Sequence, residues 1–515
     1  MKNYLKILTI GLLAFGMNSC NEDDILDLSP INNISVDDAY STPSLIESSL
    51  NGMYNAAAIG QFNSTSPNGG RGYVWGAAFV QQGDNRGEDV VNLATFYQLT
   101  YTATYDGGTA NNVYFWIDGY RLINRCNLVI EGVEGAVKKG IISQAVANDY
   151  IGQAKFMRAI THFELLTHFA RPYQFSAGAT HLGVPYREVG VDTQTEIDAE
   201  LLKGRNTVAE CYTKVLTDLT SAESLITNTT KTKATKNAAI AFKTRVYLHK
   251  RDWDNVLVEG AKIANAFTLT STPNGPFADS YSNTESIFSI LQAATNNPGV
   301  NAALASQYKT RRLVSISPII WRDPSWLADD KRREEGVMVE TVSGTKYTNK
   351  YKDGVTYTDA APVIRFAEVV LNMAEANARK SSPDLATALT LLNRVRNRAL
   401  ANPTTQAYTS SDLANQSTMV GAILKERRIE FLMEGRRWSD IHRLQGDDLH
   451  PIDGIPGKIK NGGLGTADAF TLGTPYTGAL AVAAIPGSDK RFLWPIPLEE
   501  TNNNPALKAQ QNPGW

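Results

Sequence analysis

Cysteine, metal-binding patterns and long apolar runs are what this chain has least of. Three cysteines in 515 residues are too few for a disulfide-built scaffold of the kind that staples small exported domains. The six histidines (His162, His168, His181, His249, His442 and His450) form no HExxH and no Cys/His ligand spacing, so no metal centre is expected. His162 and His168 share one predicted helix, but six positions apart they face different ways. No GxSxG marks a nucleophile elbow. Gly463-Leu464-Gly465 lies in a Gly/Asn-rich stretch without the strand-to-helix setting of a dinucleotide loop, and no cofactor is expected. Beyond the N-terminus no segment is apolar enough to cross a membrane, which takes roughly 20 residues. An excess of one charge is lacking too: 50 Lys and Arg stand against 52 Asp and Glu. Without clustered basic residues, a nucleic-acid partner is not expected.

What is present begins at the N-terminus. Lys2 and Lys6 flank the start of a short apolar run, Ile7 to Phe15, that closes on Met17-Asn18-Ser19-Cys20. A basic start, a run of this length and a small residue before the cut are the parts of a secretory signal peptide. Residues 1–19 read as that leader. The Met17 to Cys20 tetrapeptide resembles a lipobox, with Asn18 where a smaller residue is commoner. Cleavage there leaves Cys20 as the lipidated first residue of a flexible tether, 20–36. Glu22, Asp23 and Asp24 resemble the acidic stretch that sends lipoproteins of Bacteroidetes-type bacteria to the cell exterior. With Cys20 acylated, Cys126 and Cys211 remain, both in helical-looking segments. They form either one disulfide or two buried free thiols.

From Asp37 onward the dominant signal is helix. Ile151, Ala154, Met157, Ile160 and Phe163 recur at helical spacing in Ile151 to Phe169. Lys236 to His249 and a second run through Ile263 make a helix pair, with a short break at Arg251-Asp252-Trp253 between them. Pro362 to Arg379 and Pro383 to Leu400 make another, with Ser382 as N-cap and Pro383 in the first turn. The second of these carries an apolar stripe of Leu385, Ala388, Leu389, Leu392, Val395 and Ala399. Such pairs resemble tetratricopeptide units. Between them lie long Gly-, Asn-, Thr- and Tyr-rich stretches, chiefly Asn63 to Asn112, Thr268 to Tyr357 and Gly446 to Tyr476. Loops of that length in a compact protein are commonly functional.

Several segments in order resemble one family, the outer-membrane lipoproteins of the starch-utilisation-system D (SusD) and RagB type. Asp38-Ala39-Tyr40 and Leu50-Asn51-Gly52-Met53-Tyr54-Asn55 resemble its first helix. Arg121 to Asn127 resembles the helix after its first loop region. Ala154-Lys155-Phe156-Met157-Arg158-Ala159 with Phe163-Glu164-Leu165 follows, then Gly183-Val184-Pro185. Further on stand Arg365-Phe366-Ala367-Glu368-Val369, Leu392-Asn393-Arg394-Val395-Arg396, Glu426-Arg427-Arg428-Ile429-Glu430 and Glu434-Gly435-Arg436-Arg437-Trp438. The ending runs from Trp494-Pro495-Ile496-Pro497 to Asn512-Pro513-Gly514-Trp515.

The resemblance implies a mostly α-helical fold: about four tetratricopeptide-like helix pairs and a long, loop-rich irregular region. It implies one domain over 37–515, with an N-terminal part near 37–230 and a C-terminal part near 268–515. It also implies a binding protein without catalytic activity, lipid-anchored on the cell exterior. Such a protein captures oligosaccharides or, in the RagB branch, peptides, and lids a SusC-like TonB-dependent transporter of the outer membrane.

Sugar binding needs flat aromatic faces and polar side chains for the hydroxyls. Two loop stretches supply that mixture: Tyr73, Trp75, Asp84, Asn85, Arg86, Tyr97, Tyr101 and Tyr105 in the first, and Tyr281, Asn283, Asn296, Gln307, Tyr308, Trp321 and Trp326 in the second. The expected ligand residues are Tyr73, Trp75, Asp84, Asn85, Arg86, Tyr101, Tyr308, Trp321 and Trp326, with Trp321 and Tyr101 foremost. The rival enzyme reading, a surface glycosidase, would use Glu426, Glu430 and Glu434 at i, i+4 and i+8. Glu430 has Arg427, and Glu434 has Arg437, at ion-pair spacing, while Glu426 needs a partner elsewhere. Paired carboxyls have lowered pKa values, the reverse of what a general acid requires.

Overall fold

The computed structural model describes residues 36–60, 70–279, 281–464 and 467–515. The leader, Cys20 and the tether up to residue 35 lie outside the described residues.

Eleven of the longer helices carry the frame: α1 Pro43–Ala58, α2 Ala77–Asn85, α3 Ala110–Lys138, α4 Gln144–Phe169, α5 Val208–Leu225, α6 Lys236–Lys250, α7 Trp253–Ile263, α8 Phe366–Arg379, α9 Leu385–Arg396, α10 Gln416–Glu430 and α11 Arg437–Arg443. Their starts follow capping chemistry. Ser143, Thr207 and Thr235 each accept a backbone N–H with the side-chain oxygen, and Thr207 with Glu210 closes a reciprocal capping box. Arg251 adopts the left-handed conformation that ends α6 and turns the chain into α7.

Four successive pairs result: α1 with α3, α4 with α5, α6 with α7, and α8 with α9. Each packs on the next through α3–α4, α5–α6 and α7–α8. α10 closes the row against α8 and α9. A contiguous buried core runs from Ile46 to Leu507. Cys126 and Cys211 are both buried free thiols; Cys211 lends its S–H to the Val184 carbonyl at 3.3 Å.

The helix boundaries depart from the sequence reading in one pair. Ala361–Arg365 is a strand, and α8 starts only at Phe366. α9 starts at Leu385 with Asp384, not Ser382, as its N-cap. β-branched Val363 and Ile364 favour the extended partner that Ser286–Ile290 provides.

Short strands tie down the long excursions between helix pairs. We number them β1 Val90–Asn92, β2 Ser286–Ile290, β3 Val314–Ile316, β4 Val339–Val342, β5 Thr345–Thr348 and β6 Ala361–Arg365. They pair antiparallel as β1–β3, β2–β6 and β4–β5. One contact admits only glycine: a Cβ on Gly83 of α2 would come within 2.3 Å of the Gly435 carbonyl oxygen. Gly435 itself has φ +74°.

Candidate functional site

The three long excursions meet at one place. Strand β1, from the first, pairs with β3, from the second, in the register Val90↔Ile316, Val91↔Ser315, Asn92↔Val314. The same two excursions are pinned again where the Tyr308 hydroxyl donates to Asp84 Oδ2 at 2.6 Å. The Gly435 N–H donates to Asp84 Oδ1 at 2.9 Å. Burial pushes the Asp84 carboxyl up to about 7, against the pull of those two donors and of Lys350. The third excursion docks on the second where the Arg322 Nε donates to the Thr474 carbonyl at 2.9 Å, and on the first twice. The Tyr101 hydroxyl donates to the Ile459 carbonyl at 2.8 Å, and the Lys458 ammonium to the Asn85 carbonyl at 2.8 Å. Burial draws that ammonium down to about 7.

All nine expected ligand residues lie within this convergence or just beneath it, and none is more than 4 % exposed. Most of their faces and polar atoms meet protein, while Asn85 Oδ1, Arg86 Nε and Nη1 and Trp326 Nε1 are buried without a hydrogen-bond partner. The Trp321 indole donates to the Phe470 carbonyl at 3.1 Å and packs edge-on against Trp326, with the Arg333 guanidinium 4.4 and 4.1 Å above the two rings. Arg86 lies 3.5 Å over the Trp438 ring and donates to the Phe492 carbonyl. The Asn85 amide donates to the Gln81 carbonyl. The Trp75 indole reaches Thr161 in α4 at 3.2 Å, and the Tyr73 hydroxyl reaches Asn111 at 3.0 Å. In this arrangement these side chains join the excursions to each other and to the frame. The reason is size: large aromatic and Arg side chains carry the area that closes long irregular segments.

Two partly exposed aromatic residues stand next to them and escaped the sequence reading. Phe96 is half-buried, edge-on to Tyr97 at 4.6 Å, with the Arg71 guanidinium 4.5 Å above its ring. Tyr114, also half-buried, stacks at 6.0 Å on the buried Tyr73. Asn111 links Tyr73 to Phe96, accepting from the Tyr73 hydroxyl and donating to the Phe96 carbonyl, both at 3.0 Å. Nothing in spacing marks Phe96 or Tyr114; only the fold shows that they cap an aromatic layer while their neighbours fill it.

Comparison with known proteins decides the family. Residues 319–515 match the family model described as "SusD family", and residues 24–248 match one described as "Starch-binding associating with outer membrane". The chain belongs to the SusD family. A SusD-like protein P2 of Formosa agariphila is 23 % identical over 512 residues, covering 88 % of this chain and 93 % of the relative. A SusD superfamily protein of Bacteroides fragilis, solved by crystallography, superposes with a TM-score of 0.74 at 27 % identity, covering 91 % of this chain and 100 % of its own. A SusD-like carbohydrate binding protein of Bacteroides vulgatus shares the fold with a TM-score of 0.70 at 21 % identity, over 91 % and 98 % of the two chains.

In this SusD-family chain the glutamates of α10 and of the turn after it are structural, but with other partners than sequence spacing suggests. Glu430 accepts from Arg332 and Arg365, at 3.0 and 2.7 Å, and from Arg398. Glu434 pairs with Lys350 at 2.7 Å and Arg365 at 2.9 Å, and Glu426 with Arg332 at 2.5 Å and Arg396 at 3.3 Å. Arg427 turns instead to Asp440, and Arg437 to Glu88. Because α10 stops at Glu430, Glu434 and Arg437 never share a helix. Burial alone would raise the Glu430 carboxyl, yet the surrounding guanidinium groups hold it well below the usual carboxylate range. A carboxylate so held does not protonate a glycosidic oxygen.

Proposed function

We propose that this protein is a lipid-anchored glycan-binding protein on the cell exterior. It captures oligosaccharides and passes them to a TonB-dependent outer-membrane transporter of the SusC type. The observation that carries the reading is the match of residues 24–248 to a family described as starch-binding and associated with the outer membrane. The leader with its Cys20 lipobox supports surface anchoring. Convergence of three long excursions, two of them rich in aromatic residues, on a rigid helical frame supports a preformed binding face.

On this reading the sugar stacks on Tyr114 and on the Phe96 face opposite the one Arg71 covers. Tyr73, Trp75, Asp84, Asn85, Arg86, Tyr101, Tyr308, Trp321 and Trp326 form the layer that holds the platform in place. Their substitution acts through stability. Native affinity electrophoresis through gels cast with single polysaccharides tests both roles. Phe96→Ala and Tyr114→Ala are expected to weaken retardation by the preferred glycan while leaving the melting temperature within a few degrees. Stacking of one ring is worth roughly 1 kcal/mol, so each loss reads as about fivefold. Trp321→Ala and Tyr101→Ala are expected to lower the melting temperature. If instead these two abolish retardation at unchanged stability, the platform lies deeper than proposed. If no glycan retards the protein and a peptide digest binds in calorimetry, the ligand is a peptide.

A further inference from the structure

Away from the loop convergence, the middle of α3 and the segment 185–201 enclose an open-mouthed cavity of about 240 Å³. Trp116, Tyr120 and Ile123 wall it on the α3 side, and Val189, Val191 and Ile197 on the other. The polar groups around it are already used. The Trp116 indole donates to Glu500 at 3.1 Å, and the Tyr120 hydroxyl to the Pro185 carbonyl at 2.8 Å. Asn124 both donates to and accepts from the Val191 backbone. Arg187 pairs with Glu200 at 2.6 Å. A sugar requires free donors and acceptors around its rim, so this cavity is a poor sugar site. An apolar group that brings no polar atoms of its own suits it. Its volume falls below the roughly 300–1,000 Å³ of sites that enclose whole small-molecule ligands.

The mouth has a second distinguishing property. Val189 and Ile197 are 39 and 40 % exposed, and Leu202, next in chain to the wall residue Leu201, is 75 % exposed; apolar residues clustered in the open mark interaction sites. Around them acidic residues are numerous and the cations are paired. Asp192, Glu196 and Asp198 flank the wall residues Val191 and Ile197, and Glu499 stands beside Glu500, while Arg121 pairs with Asp118, Lys214 with Glu188, and Arg187 and Lys203 with Glu200. An acidic rim around an apolar socket selects for a cationic partner.

We propose that this cavity docks a polypeptide segment of another protein, which inserts one bulky apolar side chain and flanks it with Lys or Arg. The inserted side chain covers Ile123 and Val191; its cationic neighbours lie over the acidic rim. Such buried anchors surrounded by water-excluding contacts carry most of the energy of protein interfaces.

Ligand-observed saturation-transfer NMR on the full chain tests this with three blocked tetrapeptides: Lys-Phe-Lys-Lys, Lys-Ala-Lys-Lys and Glu-Phe-Glu-Glu. Transfer to the phenyl ring of the first is expected at millimolar concentration, with none for the alanine peptide. The acidic peptide should bind at least about tenfold more weakly. Val191→Phe, which fills the cavity, and Ile197→Ser, a milder change at its exposed lip, should each weaken the first peptide about tenfold. Both variants should keep glycan retardation at the wild-type level. Equal transfer to the alanine peptide, unchanged binding in both variants, or no transfer from any peptide overturns the proposal.

Discussion

Glu430 shows how single residues hold the interior together. It sits among five cations (Arg332, Lys350, Arg365, Arg396, Arg398) and four other acids (Glu285, Asp330, Glu426, Glu434), and no side chain among the ten is more than 6 % exposed. Five charges of each sign cancel, which is what makes burial tolerable. Glu430→Gln keeps the volume but leaves one cation in excess, so the expected loss is about 3–5 kcal/mol. Chemical denaturation reads this as a fall in the midpoint at unchanged slope. A midpoint equal to wild type would mean that the cluster relaxes around the missing charge. The sequence made the pairing of these glutamates legible but not the partners. Arg365 is 65 residues from Glu430, and helical spacing has no reach over that distance. The same limit hid the proposed platform: Trp321 and Phe96 are both loop aromatics by sequence, and only packing separates the buried ring from the partly exposed one.

At the scale of elements, the weakest joint is the pair that brings two excursions together. β1 and β3 are three residues each, and a two-stranded ribbon of that length has little stability alone. It persists because Leu93 N–H to Leu313 C=O and Ser317 N–H to Asp89 C=O extend the ladder at either end. Ser315, opposite Val91, is in the middle. Ser315→Pro removes a ladder donor and is expected to release the second excursion from the first. Glycan retardation should then be lost, while far-ultraviolet circular dichroism keeps its helical signal, since the frame does not depend on β1–β3. Loss of helical signal together with binding would instead make this ribbon part of the folding core. Long periodic helices such as Lys236–Lys250 declare themselves in the sequence because one face repeats over several turns. The strand Ala361–Arg365 does not. Pro362 and Pro383 both suit a helix start, and only the pairing with β2 and the cap at Asp384 decide otherwise.

Across the whole molecule, buried histidines set the response to acid. His162, His168, His249 and His442 are all buried. Each has its pKa lowered, first by burial and then by neighbouring cations, with His442 brought down to about 3. For His162, His168 and His442, a ring nitrogen takes up a backbone carbonyl: Arg158 at 3.0 Å, Glu164 at 2.8 Å and Ala170 at 2.8 Å. His249 instead meets the Ser439 hydroxyl at 2.8 Å. The sign follows from linkage. Below the ordinary histidine value of about 6.5 the unfolded chain binds protons that the folded chain refuses, so stability falls as pH falls from there towards 3. With four such groups the slope reaches about 5 kcal/mol per pH unit at most. Asp84 opposes it, since its raised value makes the folded state hold a proton more tightly between about 4 and 7. Scanning calorimetry from pH 7.5 to 4.5 is expected to show a steep fall in melting temperature that begins near 6.5, before exposed carboxylates titrate. Unfolding at pH 5.5 in buffers of different ionisation enthalpy should take up about two to three protons, the four histidines less the proton Asp84 releases. His442→Gln should remove close to one of them. Uptake near zero would mean that these rings are already protonated in the fold, and that water reaches them.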